Sequence, residues 1–394
     1  MSSQNFEHPI MRAATAGVFR KAAAWLLAMA AACLLATAAA CLLTLTPSTA
    51  RAQERYYSAA DFAHVQKVDA HMHIYGPGDM LVAEAIRDGF HILTINVDDP
   101  DHGSVARQLH DAASLHRRFP GRVAFAGTFS AAGFTKPGWS RKALREIDTA
   151  MAQGAIGVKI WKNFGMIVRD SDGRYVMPDD RRLEPIYSML QREHIVLLGH
   201  MAEPLNCWLP LAKMTVKGDA EYFREHPEYY MYLHPDRPGH DEILAARDRM
   251  LAAHPRLHFD AVHLASLEWD VDRVAAFLDR FPQADVDMAA RMAHLEYQAE
   301  THPDKVRQFL IRYQDRILYG TDDAYGPSDD RQAVAEIAAD WRRDWRFLAT
   351  DDELRSPDLD RPFHGMRLPR SVVDKIYRKN AVTLFPRAWP GLKN

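Results

Sequence analysis

Between residues 65 and 322, short apolar runs rich in β-branched residues alternate with longer stretches whose apolar positions recur at helical spacing. That alternation predicts strands joined by crossover helices, and hence a parallel sheet. Strands are expected at 65–71, 91–97, 122–129, 156–161, 195–200, 257–264, 284–288 and 317–322. Helices are expected at 79–88, 104–118, 140–153, 182–193, 241–253, 271–281 and 304–312, with Ser140 as an N-cap. Pro120, Pro255 and Pro282 fall just past three of these helices, where a helix must already have stopped. Eight strands in roughly 260 residues match a closed (β/α)8 TIM barrel. A doubly wound open sheet is the competing architecture, but no glycine-rich phosphate loop follows the first strand.

Two stretches break the alternation. Residues 201–240 form a long loop insertion after strand five, carrying Trp208, Tyr222, Phe223, Tyr229, Tyr230 and Tyr232. Loops of this length at a barrel mouth line or cover a site. Beyond Pro327, helical patterns at 330–348 and 372–384 predict extra C-terminal helices packed on the outside of the barrel.

The first fifty residues follow a different pattern. Arg12, Arg20 and Lys21 precede an uncharged apolar run at 22–45, and Ala50-Arg51-Ala52 supplies a small-x-small site. This reads as a signal peptide over 1–52, followed by one barrel domain over 56–394 in an exported (periplasmic or secreted) protein. The run is also long enough to span a bilayer, so an uncleaved anchor is the competing reading. Lipid attachment at Cys33 or Cys41 is a third, though neither has a leucine three positions earlier. Without the leader only Cys207 remains, which excludes an internal disulfide and leaves stability to the core. A net charge of -3, from 49 basic and 52 acidic residues, lacks the basic field of a nucleic-acid binder. The expected partner is a small-molecule substrate. A membrane enters only with an uncleaved leader, and self-association as a homo-oligomer is left open.

Candidate chemistry gathers at the ends of the strands. His71 and His73 stand two apart on strand one, so both imidazoles project from one face. His200 ends strand five, His263 lies at the end of strand six and Asp322 ends strand eight. Each alone has an ordinary explanation, as a chance pair among 19 histidines, a packed histidine or a turn former. Together they occupy the C-terminal rim, where this barrel keeps its catalytic groups. Nitrogen and carboxylate donors suit zinc, and other first-row metals as well.

These segments (VDAHMH, LLGH, AVHL and YGTDD) resemble the amidohydrolase superfamily, and within it the amidohydrolase-related (amidohydrolase 2) branch, over residues 65–326. The resemblance implies that His71, His73 and Asp322 are metal ligands and that His200 binds a first or second metal. It implies that His263 is a further ligand or polarises the substrate, and that Asp322 also shuttles a proton. The implied activity is hydrolysis of a small amide, ester or lactone by metal-activated water. A non-oxidative decarboxylase or lyase built on the same ligands is the alternative, and a non-catalytic binding barrel is a second. Some members of the superfamily carry a carboxylated lysine on strand four. One ion, most simply zinc, is expected here, with Lys159 as a substrate or neighbouring group; a carboxylated Lys159 would make two.

Other rim residues complete the expectation. Arg291 binds an anionic group or forms a salt bridge, and Glu203 contacts substrate or caps its loop. Trp161 and Trp208 form an aromatic wall or, as is the default for tryptophan, pack in the core. Lys162 is expected on the other face or in the following loop, less central to the site, Asp323 as a solvated turn residue, and Cys207 as no nucleophile.

Overall fold

The computed structural model describes residues 55–392 apart from Asp329, and the leader at 1–52 lies outside the described residues. The part from Tyr56 onward forms one compact unit. Its parallel strands are β1 (Lys67–Ile74), β2 (Phe90–Ile95), β3 (Val123–Thr128), β4 (Gly157–Ile160), β5 (Val196–Gly199), β6 (Phe259–Ala261), β7 (Ala284–Asp287), β8 (Ile317–Leu318) and β9 (Ala324–Tyr325). Neighbours run in the order β8-β7-β6-β5-β4-β3-β2-β1-β9. The sheet curls and closes because the chain between β8 and β9 bonds along β1. Ala70 N donates to Tyr319 O (2.9 Å), Asp322 N to His71 O (2.8 Å) and His73 N to Asp323 O (2.9 Å).

The longer helices are α1 (Asp79–Arg87), α2 (Val105–Arg118), α3 (Trp139–Ala152), α4 (Glu184–Arg192), α5 (Lys217–Glu225), α6 (His240–Ala253), α7 (Val271–Arg280), α8 (Met292–Ala299), α9 (Pro303–Arg312) and α10 (Arg331–Ala349). They lie between and after the strands, so β1 is buried along its whole length and even its polar residues point into protein. This is the expected (β/α)8 barrel.

Departures from the expected boundaries have local causes. β1 starts later than expected and runs on to Ile74, placing both His71 and His73 within the strand. β6 is only three residues long, because His263, Leu264, Ala265 and Ser266 take φ values of 60°, 53°, 60° and 53° and turn left-handed. Such a turn costs L-residues about 1–2 kcal/mol each. Specific bonds oppose that cost: His263 N donates to Asp287 Oδ1 (2.7 Å), Ser266 Oγ to Ala202 O, and the Arg247 guanidinium to Ala265 O. Ser140 is not the cap of α3. The helix begins at Trp139 after Gly138, whose φ of 82° suits glycine, and Ser140 Oγ donates to Arg182 O (2.8 Å) instead.

The 201–240 stretch is built from short 3-10 turns and α5, whose first turn is held by Asp358 Oδ1 accepting from Gly218 N (2.9 Å). In the tail, α10 buries Trp341 and Trp345, and Trp341 Nε1 donates to Asp69 Oδ2 (2.8 Å) beneath β1. The 372–384 pattern is one α-helical turn, a π-helical turn at Lys375–Lys379 and a further helix, Asn380–Leu384. Ile376 O accepts from Tyr319 N (3.0 Å) and Asn380 Nδ2 donates to Ile317 O (2.7 Å), so this segment steadies the short β8.

Burial of Glu296 on α8 makes stability depend on pH. The residue is 1% exposed, and its Oε1 has no hydrogen-bond partner. Desolvation, then the Asp344 carboxylate, pushes its carboxyl from 4.5 up to about 8. Between those values the unfolded chain has released a proton that the folded chain keeps, so stability falls as pH rises through the window. The contribution is at most about 1.4 kcal/mol per pH unit. Glu296→Gln is therefore expected to flatten the urea-midpoint profile between about pH 5 and 8. An unchanged slope would show that Glu296 titrates normally.

Candidate metal centre

Three segments carry the centre. His71 and His73 face the barrel mouth from β1, with ring centroids 5.4 Å apart. Asp322 sits in the bend between β8 and β9 at φ 70°, a left-handed conformation that breaks the strand and aims its carboxylate inward. Its Oδ1 lies 3.1 Å from both His71 Nε2 and His73 Nε2. His263, on the left-handed turn after β6, stacks obliquely on His71 with centroids 4.9 Å apart. Two tight donor groups result: His71, His73 and Asp322, and His71, His263 and Asp287.

The far side of each ring is anchored. His73 Nδ1 donates to Ile95 O (2.8 Å) and His263 Nδ1 to Ala289 O (2.9 Å), since a carbonyl can only accept. His71 Nδ1 lies 2.5 Å from Asp287 Oδ2. Protons fixed on Nδ1 leave lone pairs on Nε2, the form in which imidazole binds a metal. His200 is 6% exposed, its Nε2 has no hydrogen-bond partner, and its ring lies 4.3 Å from that of His263. An unpartnered buried nitrogen is costly unless something binds it. His200 belongs to neither tight group, however, and Glu203 Oε2, 3.6 Å away, is the carboxylate paired with its Nε2. The donor set of imidazoles and one carboxylate fits a divalent first-row metal.

Electrostatics follow from this crowding. Burial pushes the Asp322 carboxyl up, but the surrounding His263, His71 and His73 hold it well below the usual carboxylate range. Asp287 is likewise pushed up by burial and pulled below its ordinary value by His71. Lys159, on β4, is 1% exposed, and its Nζ lies 3.1 Å from His71 Nε2. Desolvation lowers it to about 8, with Asp322 and Asp287 opposing.

Above the centre opens a pocket of about 420 Å3 whose lining includes His73, Lys159, Trp161, Lys162, His200 and Glu203. Arg291 also lines it, following Ala290 at φ 54°. It is 5% exposed, its guanidinium makes one hydrogen bond among the described residues, from NH1 to Ala290 O (2.9 Å), and its Nε is unpartnered. Glu203 accepts a hydrogen bond from Lys162 on Oε1, and its Oε2 faces His200 Nε2 (3.6 Å) and Arg291 NH2 (3.9 Å) beyond hydrogen-bond distance.

Four expectations need correction. Lys162 lies in the loop after β4, one of its two expected placements, but is more central than expected. The chain turns after Trp161 into the short helix Asn163–Met166, bringing Lys162 into the pocket wall, where its Nζ donates to Glu203 and to Tyr222 Oη (3.2 Å) and lies 4.6 Å from the Tyr229 ring centre. Trp208 is not in the pocket wall; it packs against His240 and its Nε1 donates to Pro238 O (3.3 Å). Asp323 is half-buried rather than a freely solvated turn residue, and its Oδ2 is buried with no hydrogen-bond partner. Burial, then the Asp340 and Asp69 carboxylates, raises its carboxyl well above the ordinary range. Ser140, described above, is the fourth. Cys207 is inert as expected: it is buried, with its thiol pushed upward by desolvation and donating to Tyr229 O (3.0 Å).

Sequence reading also gave no role to Asp287, although it ends β7 at the rim where catalytic groups collect. Its carboxylate holds the His71 ring with one oxygen and the backbone of His263 with the other.

A family model described as Amidohydrolase matches residues 68–387. No match was found among curated proteins. Among solved structures, a TIM-barrel protein from Bordetella bronchiseptica is 15% identical, with 82% of this chain and 99% of that chain covered at a TM-score of 0.48. A 2,6-dihydroxybenzoate decarboxylase from Rhizobium is 14% identical (82% and 98% covered, TM-score 0.49). A 4-oxalomesaconate hydratase from Rhodopseudomonas palustris is 12% identical (82% and 96% covered, TM-score 0.42).

Proposed function

The chain belongs to the amidohydrolase family, and from that premise we propose that it is a metal-dependent hydrolase cleaving a small amide, ester or lactone. The observation that carries this reading is the shared contact of Asp322 Oδ1 with the Nε2 atoms of His71 and His73 at the floor of an open pocket. These three residues, with His200 beside them, would hold one divalent ion, most simply zinc. Such an ion supplies Lewis-acid chemistry, polarising a carbonyl and acidifying water.

The chain's own groups do the rest. Asp322 takes the proton from the attacking water and returns it to the leaving group. His263, its Nδ1 proton tied to Ala289 O, presents an Nε2 lone pair, which would serve as a further metal donor or accept a proton from water or a substrate hydroxyl. Lys159, Arg291 and Glu203 set the polar contacts that orient the substrate, and Trp161 supplies an apolar wall. Export by the 1–52 leader is part of the same proposal, because the charge-free run and small-x-small site support it.

A second reading has its own support. Arg291 keeps an unpartnered buried Nε at the pocket wall, and Lys159 sits across the same pocket, so two cations are available to grip a carboxylate. A non-oxidative decarboxylase or related lyase would use them so. The deciding experiment supplies the purified chain with zinc or manganese and offers ester, lactone and amide panels beside aryl and alkenyl carboxylic acids. Turnover that a chelator stops and metal restores, with no carbon dioxide released, supports the hydrolase. Carbon dioxide from an acid, with no hydrolysis in any panel, replaces it with the lyase.

A further inference from the structure

At the N-terminal end of the barrel, remote from the metal centre, a cleft of about 670 Å3 opens between the starts of β1, β2 and β3 and the segment from Pro390 to Leu392. Its charged lining consists of Arg122 and Arg378, with no carboxylate. Among the described residues, neither guanidinium has a carboxylate partner. Arg122 NH1 reaches only Phe90 O (3.3 Å) and His91 Nε2 (3.2 Å). Arg378 Nε is buried with no hydrogen-bond partner. So is Nε1 of Trp389, whose ring stands edge-on to His91 with centroids 6.4 Å apart.

His91 gives the sign of the local field. Its Nδ1 donates to Gly121 O (2.8 Å), leaving Nε2 to accept from Arg122. Burial, then Arg122, and further down Arg378, push this imidazole down to about 4, so both guanidiniums act on one neutral ring. Two half-buried cations lining one cleft with no carboxylate partner among the described residues repel each other, and each buried N–H left unmade costs about 1–3 kcal/mol. An anion in the cleft removes both penalties. The two guanidiniums that line the cleft come from separate elements, the residue just before β3 and the π-helical turn. Oxygens pointing in several directions answer such a set better than the two coplanar oxygens of a carboxylate.

We propose that this cleft is a second ligand site, binding a phosphate-class oxyanion between Arg122 and Arg378. It serves neither the metal nor the substrate and does not depend on the hydrolase reading.

The test titrates inorganic phosphate into the full chain by calorimetry, at constant ionic strength set with chloride. One saturable equivalent is expected, weakened about tenfold or more by Arg378→Gln and by Arg122→Gln, and unaltered by Asp322→Asn in the metal centre. Thermal melts provide a second readout: phosphate raises the melting temperature of the parent chain and leaves both arginine variants unmoved. The proposal fails if no saturable binding occurs below about 10 mM phosphate. It also fails if chloride stabilises equally, if both arginine variants bind as the parent does, or if Asp322→Asn abolishes the binding.

Discussion

Asp322→Asn is expected to lower turnover about a thousandfold or more at saturating metal, while the barrel stays folded. The carboxylate has two tasks that an amide cannot share. It completes the donor group with His71 and His73, and it is the only acid in that group able to move a proton between water and leaving group. Burial opposes its charge, yet three imidazoles hold it ionised, so its negative charge is part of the design of the site. The asparagine is nearly the same size, and the bend at φ 70° is tolerated by asparagine as readily as by aspartate, so folding should survive. Steady-state kinetics with metal analysis of the same sample checks this. A loss of less than about tenfold with metal retained would move the proton-transfer role to another group, His263 first.

His71→Ala is expected to destabilise the metal-free chain by about 3–5 kcal/mol, far more than removal of an exposed histidine would. The reason is its partner. Asp287 is 0% exposed and 2.5 Å from His71 Nδ1, and without the imidazole its carboxylate loses its closest compensation. Two backbone N–H groups, those of His263 and Ala289, still reach Oδ1, but Oδ2 is stranded. The double variant His71→Ala/Asp287→Asn should therefore recover a good part of the lost stability. Chemical denaturation of the four proteins in a double-mutant cycle measures that coupling. Additive effects would mean that Asp287 and His71 act independently, contrary to the geometry.

Much of this architecture was legible in the sequence for a simple reason. Buried parallel strands must be short apolar runs, and crossover helices must be amphipathic, so the two periodicities alternate visibly along the chain. The site was legible where strand geometry alone decides direction. An H-x-H pair in β1 points both rings to one side, and strand ends reach one rim. What stayed hidden depends on backbone turns that no pattern announces. The left-handed turn at His263–Ser266 shortens β6, and Asp323 is half-buried just past the bend at Asp322. Lys162 was ranked as less central because strand alternation gives no direction past Ile160, where β4 ends. Asp287 was passed over because its role lies in the residues it touches, and both partners are distant in sequence. The leader is a different case: it was read from composition alone, and it lies outside the described residues.

Elemental analysis of the purified full-length chain beside His71→Ala/His73→Ala tests the central claim most directly. The account predicts about one equivalent of a divalent first-row metal per chain, lost in the double variant. If the parent chain takes up no metal even when zinc or manganese is supplied, the imidazoles and Asp322 form a hydrogen-bonded cluster only, and the metal-dependent reading is wrong.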